Sequence, residues 1–352
     1  MEDFLVSAIH QSTAAIVGIT GYEGAGVARL IAHHPYLRLI EVTARTSIGQ
    51  TLAEVLPAFT GSPIANLTIT ETANEAELIF LAIPHGPAAT LAAQYQAQGR
   101  RVIDISADFR LNDPAIYAQW YGHAHPAPQL LPQAVYGLTE WQRQSISEAQ
   151  IIANPGCFPT SALLALLPAF SERLINPEVI IDAKTGVSGA GRSPSRRVHF
   201  VEVEESITAY GLQGHRHLPE IEQELTKASD PATPPNVTFI PHLVPMKRGI
   251  LSTCYATLQP HVTAAQVYAH YKATYADEPF VHVIDQVPET GWIQGSNLCL
   301  LTLHIDEAKR RLIIISAIDN LMKGGAGQAV QNANVLFGYP EITGLEREGV
   351  WP

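Results

Sequence analysis

A glycine-rich turn near the N-terminus places the strongest constraint on how this chain folds. An apolar segment over residues 14–20 contains Gly18 and leads into Gly21 and Gly24, and residues 27–34 continue with helical character. Glycines allow a tight turn and the close approach of a pyrophosphate, whose charge a helix N-terminus stabilises. A buried strand, a glycine turn and a helix in this order predict the first unit of a dinucleotide-binding sheet.

Strands and helices continue to alternate up to about residue 170. Further apolar strands are predicted at 37–44, 77–83, 101–106 and 151–154, and helices at 87–98 and 158–170. Parallel strands are joined by right-handed crossovers, usually through a helix. The alternation therefore predicts a doubly wound α/β domain of the Rossmann type.

The pattern changes after about residue 155, where strands follow one another more closely. Strands are predicted at 179–186, 207–212, 236–244, 249–258, 297–306 and 311–319, with helices at 219–228, 263–274 and 324–337. Strands with so little chain between them pair mostly antiparallel. The fold class expected for the whole chain is α/β, with a Rossmann-type domain followed by an α+β domain that has a mostly antiparallel sheet.

Composition limits the partners of this protein. The 352 residues are enough for two domains, and 46% hydrophobic against 16% charged residues favours a folded core over disorder. The net charge of −11 argues against nucleic acid or an acidic membrane as a partner.

No apolar run reaches the roughly 18–20 residues that span a bilayer. The acidic start, Glu2 and Asp3, does not look like a secretory signal, and three cysteines suit a reducing cytosol. We therefore expect a soluble cytoplasmic protein.

The residues after the second strand bear on the choice of cofactor. An NAD-binding domain usually has an acidic residue there for the ribose hydroxyl, but this chain has Arg45, Thr46 and Ser47. A guanidinium and hydroxyl groups suit a 2′-phosphate, so NADP(H) is predicted, with Thr20 and Tyr22 of the glycine turn as further contacts.

Cys157 is the predicted nucleophile. It follows the turn Asn154-Pro155-Gly156 and stands at the start of the apolar helix 158–170. A helix N-terminus stabilises a thiolate, and its N–H groups can stabilise an oxyanion. Cys254 and Cys299 lie within apolar strand patterns, so we expect them to be buried hydrophobic residues.

A nucleophilic cysteine needs an acid/base partner and, for a charged substrate, groups that bind anions. His217 directly precedes a predicted helix and is the expected partner, with His215 as the rival and a possible substrate contact. Arg110 and Arg192 are the candidates for binding a carboxylate or phosphate. No third ligand has a spacing that matches the two histidines, so a metal site is not expected.

Together these segments resemble the N-acetyl-γ-glutamyl-phosphate reductase family, which is related to aspartate-semialdehyde dehydrogenase. Residues 1–13 match nothing in the family and are expected to be a frayed extension. The similar segments are residues 18–30, 81–86, 102–111, 135–140, 153–160, 185–192, 210–225, 241–250 and 319–338.

The resemblance implies an NADP-binding domain at 14–156 that is completed by 320–352. It also implies a catalytic domain at 157–319 that forms the subunit interface of a homodimer or homotetramer. Pro84 and Asn320 are implied as cofactor contacts, with Asn320 near the nicotinamide. The loop with Ser188 and Gly189 is rich in small residues and can pass close to a ligand.

The resemblance further implies a reaction in arginine biosynthesis. The Cys157 thiolate would attack N-acetylglutamyl phosphate, phosphate would leave, and hydride transfer to the thioester would give the semialdehyde, with His217 as proton donor. The same chemistry on a carrier-bound aminoadipyl phosphate in lysine biosynthesis stays open, although the charge of −11 does not suit an acidic carrier. A cysteine hydrolase would not need the glycine turn, and a non-catalytic NADP sensor would not need Cys157 and His217 together.

Overall fold

The computed structural model describes residues 11–350. The extension expected over residues 1–13 lies mostly outside the described residues, whereas Ser12 and Thr13 begin the first strand. The strands in the described range are β1 (Ser12–Val17), β2 (Leu37–Thr43), β3 (Ile69–Thr70), β4 (Leu78–Leu81), β5 (Arg101–Asp104), β6 (Ala134–Tyr136), β7 (Ile151–Ala153), β8 (Ile175–Thr185), β9 (Thr208–Ala209), β10 (Asn236–Leu243), β11 (Ile250–Leu258), β12 (Val281–Val283), β13 (Cys299–Asp306) and β14 (Arg311–Ile318). The α-helices are α1 (Tyr22–Ile31), α2 (Leu52–Val55), α3 (Pro87–Ala97), α4 (Pro114–Tyr121), α5 (Thr139–Ser147), α6 (Cys157–Ser171), α7 (Phe200–Val203), α8 (Leu218–Ala228), α9 (Ala264–Thr274) and α10 (Gly327–Leu336).

The chain forms two compact units. Among the described residues, the first contains 11–109, Pro126–Asn154 and Ala329–Leu345. Its seven strands form a wholly parallel sheet in the order β3-β2-β1-β4-β5-β7-β6. Because β1 has β2 on one side and β4 on the other, the strand order reverses beside it. In such sheets, ligands bind at the carboxyl ends of the strands beside this reversal, which is where the glycine turn leaves β1.

The sequence explains how the first unit positions its helices. All four residues of β4 are buried, because a parallel sheet is covered on both faces. Helix α3 begins at Pro87, whose missing N–H is not needed in a first turn. The buried carboxylate of Asp108 accepts the N–H groups of Gly86 and Ala89, both at 2.8 Å. Asp108 thus caps α3 from the loop that follows β5.

The second unit contains Arg110–His125, Pro155–Gln328 and the residues from Glu346. Its seven strands form a mixed sheet in the order β12-β13-β14-β11-β8-β10-β9. Four of its six strand pairs are antiparallel. Burial alternates strictly along β11, so one face of the sheet is covered and the other is partly open. Helix α6 lies on the covered face, against β8, β11 and β14.

The predicted fold class is confirmed, and the differences are local. The strand expected at 207–212 is reduced to β9, and the helix expected at 324–337 begins with a π-helical turn over Met322–Ala326. The sequence pattern did not predict the short or polar elements β3, β6, β12, α2, α4, α5 and α7. The boundaries expected between the NADP-binding domain and the catalytic domain, after residues 156 and 319, stay a prediction.

Within residues 11–350, no helix combines the length and apolar character that a membrane crossing requires. The expected cytoplasmic location stays a prediction.

Candidate active site

The glycine turn of the first unit leaves the start of α1 open to an anion. Gly18 has a φ of +97°, and a side chain there would meet the carbonyl oxygen of Ala82. A side chain at Gly24 would meet the carbonyl oxygen of Gly18. A Cβ at Gly21 would meet nothing closer than 3.5 Å, and Gly21, as the N-cap residue, has no side chain with which to cap α1. The fold itself therefore requires glycine at residues 18 and 24, and glycine at residue 21 leaves room for a phosphate at the helix start.

The loop after β2 has the composition that suits a phosphate. Arg45 is exposed, and Ser47 adopts a φ of 65°, which turns the loop after Arg45. Glu41 lies within β2, and its carboxylate accepts the N–H groups of Asn74 and Ala76, at 2.6 Å and 3.0 Å. The Glu41 carboxylate is therefore already hydrogen-bonded to the backbone of the protein. Thr20 is half-buried, whereas Tyr22 and Pro84 are exposed.

Cys157 is the first residue of α6, in the second unit. Gly156 is the N-cap residue and offers no side chain, so Cys157 is the first side chain at the helix start. Thirteen of the fifteen residues of α6 are buried, from Phe158 to Phe170, whereas Cys157 stays partly exposed. None of the three cysteines forms a disulfide. This position combines solvent access with the positive end of a helix dipole, which favours a thiolate.

The other two thiols lie in different surroundings. Cys254 and Cys299 are fully buried within β11 and β13. Burial raises the pKa of Cys254 to about 12. At neutral pH that thiol is protonated and inaccessible, which is the behaviour expected of a small hydrophobic residue.

A glycine in the π-helical turn packs directly against Cys157. A Cβ at Gly324 would lie only 2.8 Å from the Cβ of Cys157. The turn is held by Asp319, whose backbone oxygen accepts the N–H of Gly324 at 3.0 Å. The Asp319 carboxylate also pairs with Arg248 at 2.7 Å. π-Helical turns occur often at functional sites, and this one permits close approach to Cys157.

The two histidines lie beside the start of α6. The ring of Phe158 is in edge contact with His215 at 5.8 Å and with His217 at 5.9 Å between centroids. A Cβ at Gly156 would lie 2.5 Å from Nε2 of His217, so this ring is next to the residue that precedes Cys157. The structure therefore brings Cys157, His215 and His217 together.

The histidines differ in their hydrogen bonds. Nδ1 of His215 accepts the backbone N–H of His217 at 3.1 Å. Nδ1 of His217 is buried and has no hydrogen-bond partner among residues 11–350. A buried nitrogen without a partner is costly unless a ligand or water meets it. This difference favours His217 over His215 as the acid/base group.

Both rings are neutral at pH 7. Burial lowers the pKa of His217 well below its usual value, and the charge of His215 when that ring is protonated, with the charges of Arg110 and Arg216, lowers it further. Burial lowers the pKa of His215 to about 4, with a contribution from Arg216. A neutral imidazole can accept a proton from a thiol, so the resting state suits a base.

The loop with both histidines is held by α4, a helix that the sequence pattern did not predict. A Cβ at Gly214, whose φ is +127°, would lie 2.9 Å from the ring of Trp120. The Arg216 guanidinium lies 5.6 Å above the ring of Tyr121. Aromatic residues of α4 therefore fix the loop on either side of His215.

The two arginines predicted to bind anions are placed differently. Arg110 is buried, and its NH1 lies 3.7 Å from the carboxylate of Glu220. Its backbone oxygen accepts the side-chain amide of Gln223 at 2.9 Å. Arg192 is exposed, just after the short helical turn Val187–Ala190. Of these two arginines, only Arg192 is exposed.

Ser188, Gly189 and Asn320 are neighbours in the second unit. The Asn320 side chain donates to the Ser188 hydroxyl at 2.9 Å and accepts the N–H of Gly249 at 2.7 Å. A Cβ at Gly189 would lie 3.9 Å from the Asn320 amide nitrogen. Asn320 thus fixes the loop that contains Ser188 and Gly189. Its contact with a cofactor stays a prediction.

Sequence reasoning missed Glu220, Tyr210 and Gly324. Glu220 was hidden because it reads as an ordinary acidic residue in the first turn of a helix. Tyr210 contacts His215 at 5.5 Å between ring centroids, and the Arg197 guanidinium lies 5.1 Å above its ring. Burial raises the pKa of Tyr210, and the nearby Cys157 raises it further. For Glu220 and Tyr210, the only signal in the sequence was their position within the similar segment 210–225.

Two family models match the chain in succession. The NAD binding domain of semialdehyde dehydrogenases matches residues 13–149, and their dimerisation domain matches residues 157–320. N-acetyl-gamma-glutamyl-phosphate reductase from Dehalococcoides mccartyi is 49% identical over 340 residues, covering 96% of this chain and 98% of the relative. The protein of that name from Heliobacterium modesticaldum is 46% identical over 349 residues, covering 96% and 99%.

The chain belongs to the N-acetyl-gamma-glutamyl-phosphate reductase family. It is therefore an oxidoreductase of the semialdehyde dehydrogenase type, and the resemblance found in the sequence is confirmed. Its first unit carries the nicotinamide-nucleotide-binding domain of this family.

Solved structures agree on the fold. Aspartate semialdehyde dehydrogenase II from Vibrio cholerae superposes with a TM-score of 0.72 at 17% identity, covering 94% of this chain and 99% of that one. The NADP complex of the Candida albicans enzyme gives a TM-score of 0.67 at 14% identity, covering 93% and 98%.

The low pKa of His215 predicts a loss of stability in acid. Its folded-state pKa of about 4 lies below the unfolded value of roughly 6.5, so the unfolded chain binds this proton first as the pH falls. The stability is then lost progressively from about pH 6.5 down to about 4, and between pH 7 and 5 this group accounts for about 1–2 kcal/mol. Urea unfolding at both pH values should show a smaller loss for His215→Gln than for the wild type.

The exposed residue His33 supplies the control for this measurement. His33→Gln should lose as much stability as the wild type between pH 7 and 5. An equal loss in His215→Gln and the wild type would show that His215 is not held neutral by burial.

Proposed function

We propose that this protein reduces N-acetyl-L-glutamyl 5-phosphate to N-acetyl-L-glutamate 5-semialdehyde with NADPH, releasing phosphate, as a step of arginine biosynthesis. The observation that carries the proposal is the partly exposed Cys157 at the start of α6, beside the half-buried ring of His217. Near-full-length relatives carry the name of this activity.

The first step forms a thioester on Cys157. The neutral ring of His217 takes the thiol proton, and the sulfur attacks the acyl carbon of the substrate. The bond from that carbon to the phosphate oxygen breaks, and the His217 imidazolium gives its proton to the leaving phosphate. The start of α6 stabilises negative charge at the thiolate and at the oxyanion of the addition step.

The second step reduces the thioester. The bound NADPH supplies the hydride to the thioester carbonyl. The resulting thiohemiacetal oxyanion collapses to the aldehyde with Cys157 as leaving group. One proton from solvent, delivered by His217, restores the thiol. His217 therefore accepts and donates protons in turn, which suits a ring that is neutral at rest.

Three further side chains are proposed to contact the substrate. Arg192 is exposed and can bind a carboxylate or phosphate with two parallel hydrogen bonds. His215 lies 4.8 Å from His217 between ring centroids. Arg110 is buried beside Glu220, so we propose that it contributes its positive charge next to Gly156.

The first unit is proposed to hold the dinucleotide. The glycine turn leaves space at Gly21, the N-cap residue of α1, which fits a pyrophosphate. Arg45 and Ser47 are proposed for the 2′-phosphate. The remaining proposed contacts are Gly18, Thr20, Tyr22, Gly24, Pro84, Ser188, Gly189 and Asn320.

We also propose that two copies associate through the open face of the second sheet, with a tetramer as a further possibility. Ile180, Tyr255 and Ile313 are paired across β8, β11 and β14 on that face. Ile180 is 40% exposed, and the other two are half-buried. An apolar row across three strands is typical of a surface that a partner covers.

Replacing the proposed nucleophile tests the function. Cys157→Ser should abolish turnover but keep NADPH binding, because a serine hydroxyl is a much weaker nucleophile than a thiolate. His217→Ala should lower turnover by roughly 10²–10⁴-fold. The assay follows reduced nicotinamide absorbance with the semialdehyde, phosphate and NADP, and titration of NADPH fluorescence checks binding.

Three results would contradict this assignment. Near-normal activity in Cys157→Ser would remove the nucleophile, and a larger loss in His215→Ala than in His217→Ala would exchange the two histidines. Activity with aminoadipate semialdehyde on a carrier, but not with the free acetylated substrate, would move the protein to the lysine reaction.

The loop after β2 predicts the cofactor preference. Arg45→Ala should raise KM for NADP by about 10–100-fold, the loss expected for charge-assisted hydrogen bonds to a phosphate. KM for NAD should change little, since NAD lacks the 2′-phosphate. Arg38→Ala, an exposed arginine earlier in β2, is the control. An equal rise for both cofactors would place Arg45 away from the 2′-phosphate.

The open sheet face predicts the oligomer. Light scattering after size exclusion should give two or four times the 38.2 kDa of one chain. Ile180→Lys should reduce that mass, because a charge would be buried at the contact. Val287→Lys, at a more exposed apolar residue in a loop, should leave the mass unchanged. A wild-type monomer, or an unchanged mass for Ile180→Lys, would contradict the proposed contact.

A further inference from the structure

Glu220 lies close to the proposed nucleophile, although it takes part in none of the proposed reaction steps. Its carboxylate accepts the backbone N–H of Gly156 at 2.8 Å, and Gly156 directly precedes Cys157. The side chain is 1% exposed. A buried carboxylate needs compensation by charge and hydrogen bonds, because its desolvation is costly.

The compensation comes from Arg110, whose NH1 lies 3.7 Å from the second oxygen of Glu220. A Cβ at Gly156 would lie 2.9 Å from the same NH1 and 2.5 Å from Nε2 of His217. Glu220, Arg110 and His217 therefore surround one glycine. Since that glycine is the N-cap of α6, any shift in it moves Cys157.

We propose that Glu220 is a positioning residue for the nucleophile: it fixes the Gly156 amide at the start of α6 and balances the charge of Arg110 beside Cys157 and His217. The inference rests on the proposed role of Cys157. Without the carboxylate, Arg110 loses the negative charge that lies 3.7 Å from its NH1. Its charge then stabilises the thiolate too strongly and opposes the protonation of His217.

Glu220→Gln separates the two parts of this role. The amide oxygen of glutamine can still accept the Gly156 N–H, but the negative charge is gone. Glu224→Gln is the matched control: Glu224 lies one turn later in α8, is 5% exposed, and pairs with Lys227 at 2.6 Å instead.

The test measures the rate of Cys157 alkylation by iodoacetamide as a function of pH. Cys254 and Cys299 are fully buried, so the reagent reports on Cys157, and Cys157→Ser gives the blank. Besides Cys157 and Arg110, the groups whose charges act on His217 or Tyr210 are His215, Arg216 and Arg197. Lys323 directly precedes Gly324, which packs against Cys157. None of these is changed in the variants.

For Glu220→Gln, the midpoint of the alkylation curve should fall by about one pH unit. Turnover should fall about 10–100-fold with less than a threefold change in KM, and the optimum of the pH–rate profile should move in acid direction. Glu224→Gln should keep the wild-type midpoint. An unchanged midpoint in folded Glu220→Gln, or an equal shift in Glu224→Gln, would overturn the proposal.

A double variant keeps the test decisive if Glu220→Gln does not fold. Replacing a buried ion pair by uncharged side chains is often tolerated. Arg110→Met combined with Glu220→Gln should fold and return the alkylation midpoint to within about 0.3 units of wild type. A midpoint in the double variant that stays one unit low would contradict charge balance by Glu220. Alkylation needs no substrate, so wild-type inactivity on the acyl phosphate would refute the proposed function separately.

Discussion

The chemistry of this protein depends on where helix α6 begins. The helix is buried along nearly its whole length, and the hydroxyl groups of Tyr271 and Tyr275 donate to its carbonyl oxygens at Ala165 and Leu164. Such a helix cannot shift without breaking the core, so its first residue occupies a fixed point. That residue is Cys157, and the positive end of the helix dipole favours negative charge there.

The residues around Cys157 keep proton transfer possible. The histidine loop is held by aromatic residues of α4, and the π-helical turn reaches Cys157 only because residue 324 has no side chain. Burial and neighbouring positive charge keep His217 neutral. Glu220 pairs with Arg110 and thereby limits the net positive charge beside this ring. In the proposed mechanism, the site combines a thiol whose ionisation the helix start favours with a base that is not already protonated.

Local sequence patterns predicted most of the fold but only part of the site. The glycine turn, the apolar strands and Cys157 were predictable because each depends on neighbours in sequence. The partner of Arg110 was not: it is contributed by Glu220, more than one hundred residues later, and a lone arginine shows no sign of such a pair. Helix α4 was missed because its aromatic face packs on a loop, which leaves no helical periodicity in apolar residues.

The most direct test of the account is a reaction with N-acetylglutamyl phosphate in the absence of NADPH. The account predicts a burst of one phosphate per subunit and an acyl group on the Cys157 peptide, seen by mass spectrometry after acid quenching. Cys157→Ser should show neither. Full turnover in the presence of NADPH, without any acylated Cys157 or phosphate burst in its absence, would contradict covalent catalysis at the start of α6.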